Sequence, residues 1–285
     1  MTSGLAEQKL HSLWWILHAA RGADVARGQS GLQSQCEPES EPLTTIRDKS
    51  VLITGASRGV GKRLAMGFAQ AGARVGLLAR SQTELDLAKM EIEQAGGIAL
   101  RLRADVRDLE QMTAAVERMR AEFGTLDVLV AAAGVQGPIG PLLSTRPKVW
   151  NETIEVNLIG TVNSCRAALP PMIEKRSGKI ILIVGGGSGH SRANFSAYAA
   201  SKAAVARFAE CLADEVRDHN VQVNSISPGG AYTHMTDEIL HAGEERAGRR
   251  EIESNGRPFR HGPSPARARG RAISCRTELA RNSPR

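Results

Sequence analysis

The sequence predicts an α/β fold: a doubly wound parallel sheet with helices on both faces. Three observations carry this. From Lys49 onward, short runs rich in Val, Ile and Leu alternate with longer helical patterns. Most of these runs lack the apolar–polar alternation of a half-exposed sheet, which marks strands covered on both sides. A glycine-rich segment, TGASRGVG at 54–61, stands between the first run and the first helical pattern.

In chain order, VLIT (51–54) reads as a buried strand and Val60–Ala71 as a helix. RVGLLA (74–79) is a second strand, followed by a helix over Thr83–Ala95. IALRLRA (98–104) is a third strand, with a helix over Leu109–Phe123. LDVLVAA (126–132) is a fourth, and a long helix runs from about Val149 to Met172. GKIILIV (178–184), a helix over Ser196–Arg217, and VQVNSIS (221–227) complete the pattern. Each crossover places a helix over the sheet, and right-handed crossovers leave the doubly wound order as the topology.

Flanking this domain, assigned to residues 49–246, are two segments of different texture. Residues 1–48 read as an extension or linker, with one amphipathic stretch at 5–26 and a polar, Pro-containing run after it. Residues 247–285 are rich in Arg, Gly, Pro and Ser without sustained periodicity, which predicts disorder. Residues 246–285 hold eleven arginines against three glutamates, a surplus of eight that exceeds the whole chain's +7. The basic balance therefore belongs to the tail. Phe259 is its only aromatic, so base stacking has little support and no specific nucleic-acid partner is expected.

Four cysteines, Cys36, Cys165, Cys211 and Cys275, are scattered with no CxxC pair. That argues against a metal centre and a disulfide framework, and for a reducing, cytoplasmic setting. No run approaches the ~18 apolar residues of a membrane span. The apolar run at 13–20 lacks the flanks of a signal peptide.

The glycines at 55, 59 and 61 carry the first chemistry. At a strand–helix junction they allow a tight turn, close backbone approach to a pyrophosphate, and close helix–strand contact. The helix start beyond them offers unpaired N–H groups and a positive dipole end to phosphate. This is a Rossmann-type dinucleotide cradle.

The spacing TGxxxGxG resembles the short-chain dehydrogenase/reductase family, and the resemblance extends from about Ser50 to Leu240. It implies coenzyme contacts at Thr54, Gly55, Ser57, Arg58, Gly59, Val60 and Gly61. NAD-binding relatives end the second strand in an acidic residue; here Ala79 is followed by Arg80. With Arg58 inside the glycine loop, two guanidinium groups favour a 2′-phosphate, so NADP is expected rather than NAD. The alternative is that both arginines are merely solvated. Asp105 and Val106 resemble the family's adenine-contacting pair, although Asp105 could equally be a helix N-cap.

Tyr198 and Lys202 in SAYAASK lie at i and i+4, on one helix face. A neighbouring ammonium and an oxidised nicotinamide favour the phenolate, making Tyr198 a proton shuttle for carbonyl reduction or alcohol oxidation. Lys202 would also bind the nicotinamide ribose. Asn157 matches the family's helix asparagine, implied to position a water beside the lysine; the alternative is an ordinary helix polar group. The family places a substrate-holding serine thirteen residues before the tyrosine, where this chain has Gly185. Ser188 either swings into that role or is plain loop polarity. Losing such a donor would leave a catalytically weak dinucleotide binder as the competing function.

The family's NNAG after the fourth strand is AAAG here, keeping Gly134 for backbone approach to the ribose but losing asparagine side-chain bonds. In SPGGAYTHM (227–235), Thr233 matches the residue implied to bond the nicotinamide carboxamide. Relatives continue to a further strand that residues 247–285 do not supply. The resemblance implies a small-molecule carbonyl or alcohol substrate and a homo-oligomer.

Overall fold

The computed structural model describes residues 46–229 and 232–256. Most of the predicted extension and the chain beyond Gly256 lie outside the described residues, as do Gly230 and Ala231 of the segment after the last predicted strand.

Six strands form one parallel sheet: β1 (Ser50–Thr54), β2 (Arg74–Ala79), β3 (Ile98–Arg103), β4 (Val128–Ala131), β5 (Gly178–Ile183) and β6 (Val221–Ile226). Their spatial order is β3-β2-β1-β4-β5-β6, so the winding direction reverses between β1 and β4. That switch point is where doubly wound sheets bind ligands, at the carboxyl ends of the strands.

Helices α1 (Gly59–Gln70) and α2 (Gln82–Gln94) cover one face. Helices α3 (Leu109–Phe123), α5 (Gly160–Glu174) and α6 (Ser196–Glu215) cover the other. The strand period of two divides β1 between these layers. Leu52 packs with Met112, Met119 and Met172 in one core, and Val51 and Ile53 with Leu64, Phe68 and Ile92 in the other. Ile46 joins the second core, so the domain begins slightly before the predicted boundary at residue 49.

Helix starts follow their caps. The Ser81 side chain accepts from Glu84 N at α2, and Asp108 accepts from Gln111 N at α3. Gly124, at φ 80°, ends α3 in the left-handed conformation. The long helix predicted over Val149–Met172 is three pieces: α4 (Pro147–Ile154), a π-helical turn (Glu155–Ile159) and α5. Such turns insert an extra residue and often mark functional positions. This one carries Asn157.

The expected tail requires a correction at its start. Helix α7 (His234–Ala247), kinked at Gly243, is followed by α8 (Arg249–Gly256). Ile252 of α8 packs with Ile139, Phe195 and Ile239 in a third small core. One apolar residue in eight is too little for a periodicity signal, so the ordering is tertiary. Among the described residues β3 and β6 are the edge strands, and the exposed Gln222 and Asn224 of β6 are the polar residues an open edge tolerates. No described helix is long and apolar enough to cross a membrane.

Candidate active site

A cavity of about 1640 Å³ runs along the carboxyl ends of the strands. Its wall includes the glycine turn after β1, Arg80 after β2, Asp105 and Val106 after β3, Gly134–Gln136 after β4, and Gly185 after β5. Residues of α6, α7 and α8 complete it.

The glycine turn is sterically obligatory. Gly55 has φ +68°, and a Cβ there would lie 2.8 Å from Ala133 Cα. A Cβ on Gly61 would lie 2.2 Å from the Gly55 carbonyl oxygen. Arg58, the N-cap of α1, makes no side-chain cap bond, and the first turn holds no acidic residue. The opening N–H groups of α1 thus face a cavity wall that also carries Ser57, Gly59 and Val60. These residues fit a pyrophosphate. Thr54 sits just behind the wall: its hydroxyl accepts from the N–H groups of Ala132 and Ala133, each at 3.1 Å. That bond pair holds the β4 exit where the family's asparagine side chains are missing.

Arg58 and Arg80 both line the cavity. Arg58 lies 3.9 Å from Glu84 with both side chains well exposed, a weak pairing. Asp105 forks onto Arg107, whose guanidinium is the largest cause holding its carboxyl below the usual range; Arg80 adds to the effect. The N-cap of α3 is Asp108, which removes the capping alternative for Asp105.

Tyr198 and Lys202 project from α6 into the same cavity. Lys202 is 4% exposed and its Nζ donates to the Ile183 carbonyl at 2.8 Å, lying 5.8 Å from the Tyr198 ring centroid. Burial pushes the Lys202 amine down to about 8 and pushes the Tyr198 hydroxyl above its ordinary 10.0. The charge that opposes the rise in Tyr198 is Arg192, not Lys202. Of the two charges expected to lower the tyrosine, the Lys202 ammonium does not do so here, and desolvation dominates both groups.

Arg192 stacks over Phe195, with Cζ 3.9 Å from the ring centroid, and lies 5.7 Å from that of Tyr198. Its Nε and Nη2 donate to the two Glu251 carboxylate oxygens at 3.1 and 2.9 Å. This fork ties α8 to the wall that carries Tyr198.

Asn157 is fully buried behind that wall. Its Oδ1 accepts from Val135 N at 2.8 Å, and its Nδ2 donates to Val135 O and Ser201 Oγ, each at 3.0 Å. Ser188 does not line the cavity; its N–H donates to the Gly185 carbonyl at 3.1 Å, closing a turn. Thr233 lines the cavity and caps α7, its hydroxyl accepting from Thr236 N.

Residues 49–243 match the family model described as short chain dehydrogenase. The chain belongs to that family. As a short chain dehydrogenase it is an oxidoreductase on a Rossmann-type sheet. It is 35% identical over 193 residues to 2,3-dihydro-2,3-dihydroxybenzoate dehydrogenase of Bacillus subtilis, covering 67% of this chain and 72% of that one. A metagenomic short-chain oxidoreductase in complex with NADP superimposes with a TM-score of 0.62 at 35% identity, over 65% of this chain and 84% of that one. NAD+-bound xylitol dehydrogenase gives a TM-score of 0.68 at 25% identity, over 73% and 81%.

Among the residues of this short chain dehydrogenase's cavity that no motif announces are Gln136, Arg192 and Glu251. The last two are 59 positions apart and meet only through folding.

The Lys202 amine supplies a stability signature. Between about 8 and its ordinary 10.5 the unfolded chain holds a proton that the folded chain has released. Stability therefore rises with pH across that window, until the raised Tyr198 hydroxyl opposes it above its ordinary 10.0. Thermal melts from pH 7 to 10 are expected to show this rise, and Lys202→Met to flatten it. An equal slope in the variant would place the titration elsewhere.

Proposed function

We propose that this short chain dehydrogenase is an NADP(H)-dependent enzyme interconverting a small-molecule carbonyl and a secondary alcohol, with Tyr198 moving the proton. The observation that carries the reading is convergence: the i, i+4 pair Tyr198 and Lys202 and the glycine turn share one cavity wall. The turn from Gly55 to Gly61 would hold the pyrophosphate, and Asp105 and Val106 the adenine. Gly134 and Lys202 would hold the nicotinamide ribose, and Thr233 the carboxamide. When bound, the coenzyme supplies the hydride. Tyr198 Oη gives its proton to the substrate oxygen in reduction and takes it back in oxidation. Lys202, with three N–H donors and one spent on Ile183, keeps donors for ribose hydroxyls. The buried thiol of Cys165 and the free Cys211 fit a reducing, cytoplasmic setting.

The coenzyme choice rests on Arg80, because the metagenomic relative is in complex with NADP and the xylitol dehydrogenase is NAD+-bound. A carboxylate at 80 would repel a 2′-phosphate and accept from free ribose hydroxyls. One charge-assisted bond corresponds to ~1.5–3 kcal/mol, or roughly 10–100-fold in affinity. Arg80→Asp is expected to weaken NADPH by that factor and strengthen NADH, as read by fluorescence titration. Unchanged preference would sink the NADP assignment.

One observation favours a second reading, a dinucleotide-binding protein with weak turnover: no side chain stands at Gly185. NADPH binding without carbonyl reduction across a substrate panel would establish it.

A further inference from the structure

We propose that the Gln136 carboxamide donates a hydrogen bond to the reacting oxygen of the substrate, in the place that Gly185 leaves without a side chain. The inference rests on the carbonyl–alcohol reading above.

The vacancy at 185 is structural as well as chemical. A Cβ built on Gly185 would lie 2.6 Å from Tyr198 Oη, so the tyrosine hydroxyl has taken the space a side chain there would use. Ser188 lies off the wall. Arg192 has Nε and Nη2 committed to Glu251. The strand that feeds this corner has a neighbour, however. β4 pairs with β5 in parallel, Ala131 opposite Leu182, so the two chains leave the sheet from neighbouring strand ends, and Gln136 and Gly185 line one cavity.

Gln136 sits in that adjacent exit. It lines the cavity with Tyr198 and Lys202, yet it is 2% exposed. Its Nε2 is one of two buried side-chain polar atoms without a partner among the described residues; the other, Arg74 Nε, does not line this cavity. Its backbone is not free to swing away, because Asn157 clamps both the N–H and the carbonyl of the preceding Val135. A buried amide donor, unpaired beside a ligand cavity, is what an acceptor arriving with the substrate would satisfy once the carboxamide turns its Nε2 to the cavity. As the carbonyl becomes an alkoxide its oxygen gains negative charge, so this bond strengthens towards the transition state. It should act on kcat more than on KM.

The test uses the full chain with diacetyl and cyclohexanone as carbonyl probes and NADPH as reductant. Gln136→Leu keeps the side-chain volume and removes the donor. It is expected to lower kcat by roughly 10²–10³ with KM and the NADPH dissociation constant within a few-fold. Gln136→Glu, of the same shape as glutamine, separates donation from packing. Its ionised carboxylate repels the developing alkoxide, whereas its protonated form donates. The deficit should therefore shrink as pH falls, beyond any change that wild type shows through His190, Tyr198 and Lys202. A kcat in Gln136→Leu within threefold of wild type, with NADPH still bound, overturns the Gln136 assignment alone, as does a Gln136→Glu deficit that ignores pH. Wild type that binds no NADPH, or binds it and reduces neither probe, overturns this assignment together with the reading beneath it.

Discussion

Tyr198→Phe is expected to lower kcat by roughly 10²–10⁴, the range for removing a positioned general acid, while NADPH binding and thermal stability stay near wild type. The ring is what packs: Phe retains the face towards Arg192 and its seat on α6. Only the Oη is lost, and with it the proton that the proposed reaction delivers to the substrate oxygen. The local charges favour the donor role. Burial raises the Tyr198 hydroxyl above its ordinary value, and Arg192 only partly offsets this. The phenol therefore stays protonated through neutral pH and can give its proton in reduction. Oxidation, which begins by removing that proton, should be favoured by alkaline pH. Single-turnover rates in both directions, with coenzyme affinity measured separately, check the assignment. A Phe variant within tenfold of wild type would move the proton transfer to another group on the cavity wall.

The features legible in the sequence were those whose cause is local. All six strands were readable: four are short apolar runs with turn residues beside them, and IALRLR and VQVNSI mix apolar with polar residues in short β-rich runs. The glycine turn was readable because its requirement for missing Cβ atoms is written within seven residues, at 55, 59 and 61, and Tyr198 with Lys202 because i and i+4 share a helix face. What stayed hidden depends on contacts between distant segments. The π-helical turn at Glu155–Ile159 interrupts a stretch whose apolar pattern reads as one helix. Helix α8 has almost no periodic signal and is held by Ile252 and the Glu251–Arg192 fork. Gln136 is a single polar residue after AAAGV, and only its burial without a partner distinguishes it. Thr54 was legible by motif, but its task of accepting from two β4-exit amides was visible only in the fold.

Asn157→Leu is expected to destabilise the chain by about 3–5 kcal/mol, the scale for stranding several buried polar groups, and to lower turnover with it. The carboxamide is wholly enclosed and makes three bonds, two to Val135 and one to Ser201. Leucine fills the volume and returns none of them, leaving the Val135 N–H and carbonyl without their present partner. The effect reaches the site because Val135 lies between two wall residues. Gly134 packs beside the Lys202 amine, whose Nζ lies 3.6 Å from where a Cβ on Gly134 would be, and Gln136 follows directly. Asn157→Asp separates this bracing role from the water-positioning role that family resemblance implies. Aspartate still accepts from Val135 N but cannot donate to Val135 O unless protonated, so bracing predicts an intermediate melting temperature that rises as pH falls. A role confined to a water beside Lys202 predicts wild-type melting for both variants and a defect in turnover alone. Urea titration of the two variants beside kcat distinguishes them, since bracing loses stability and rate together.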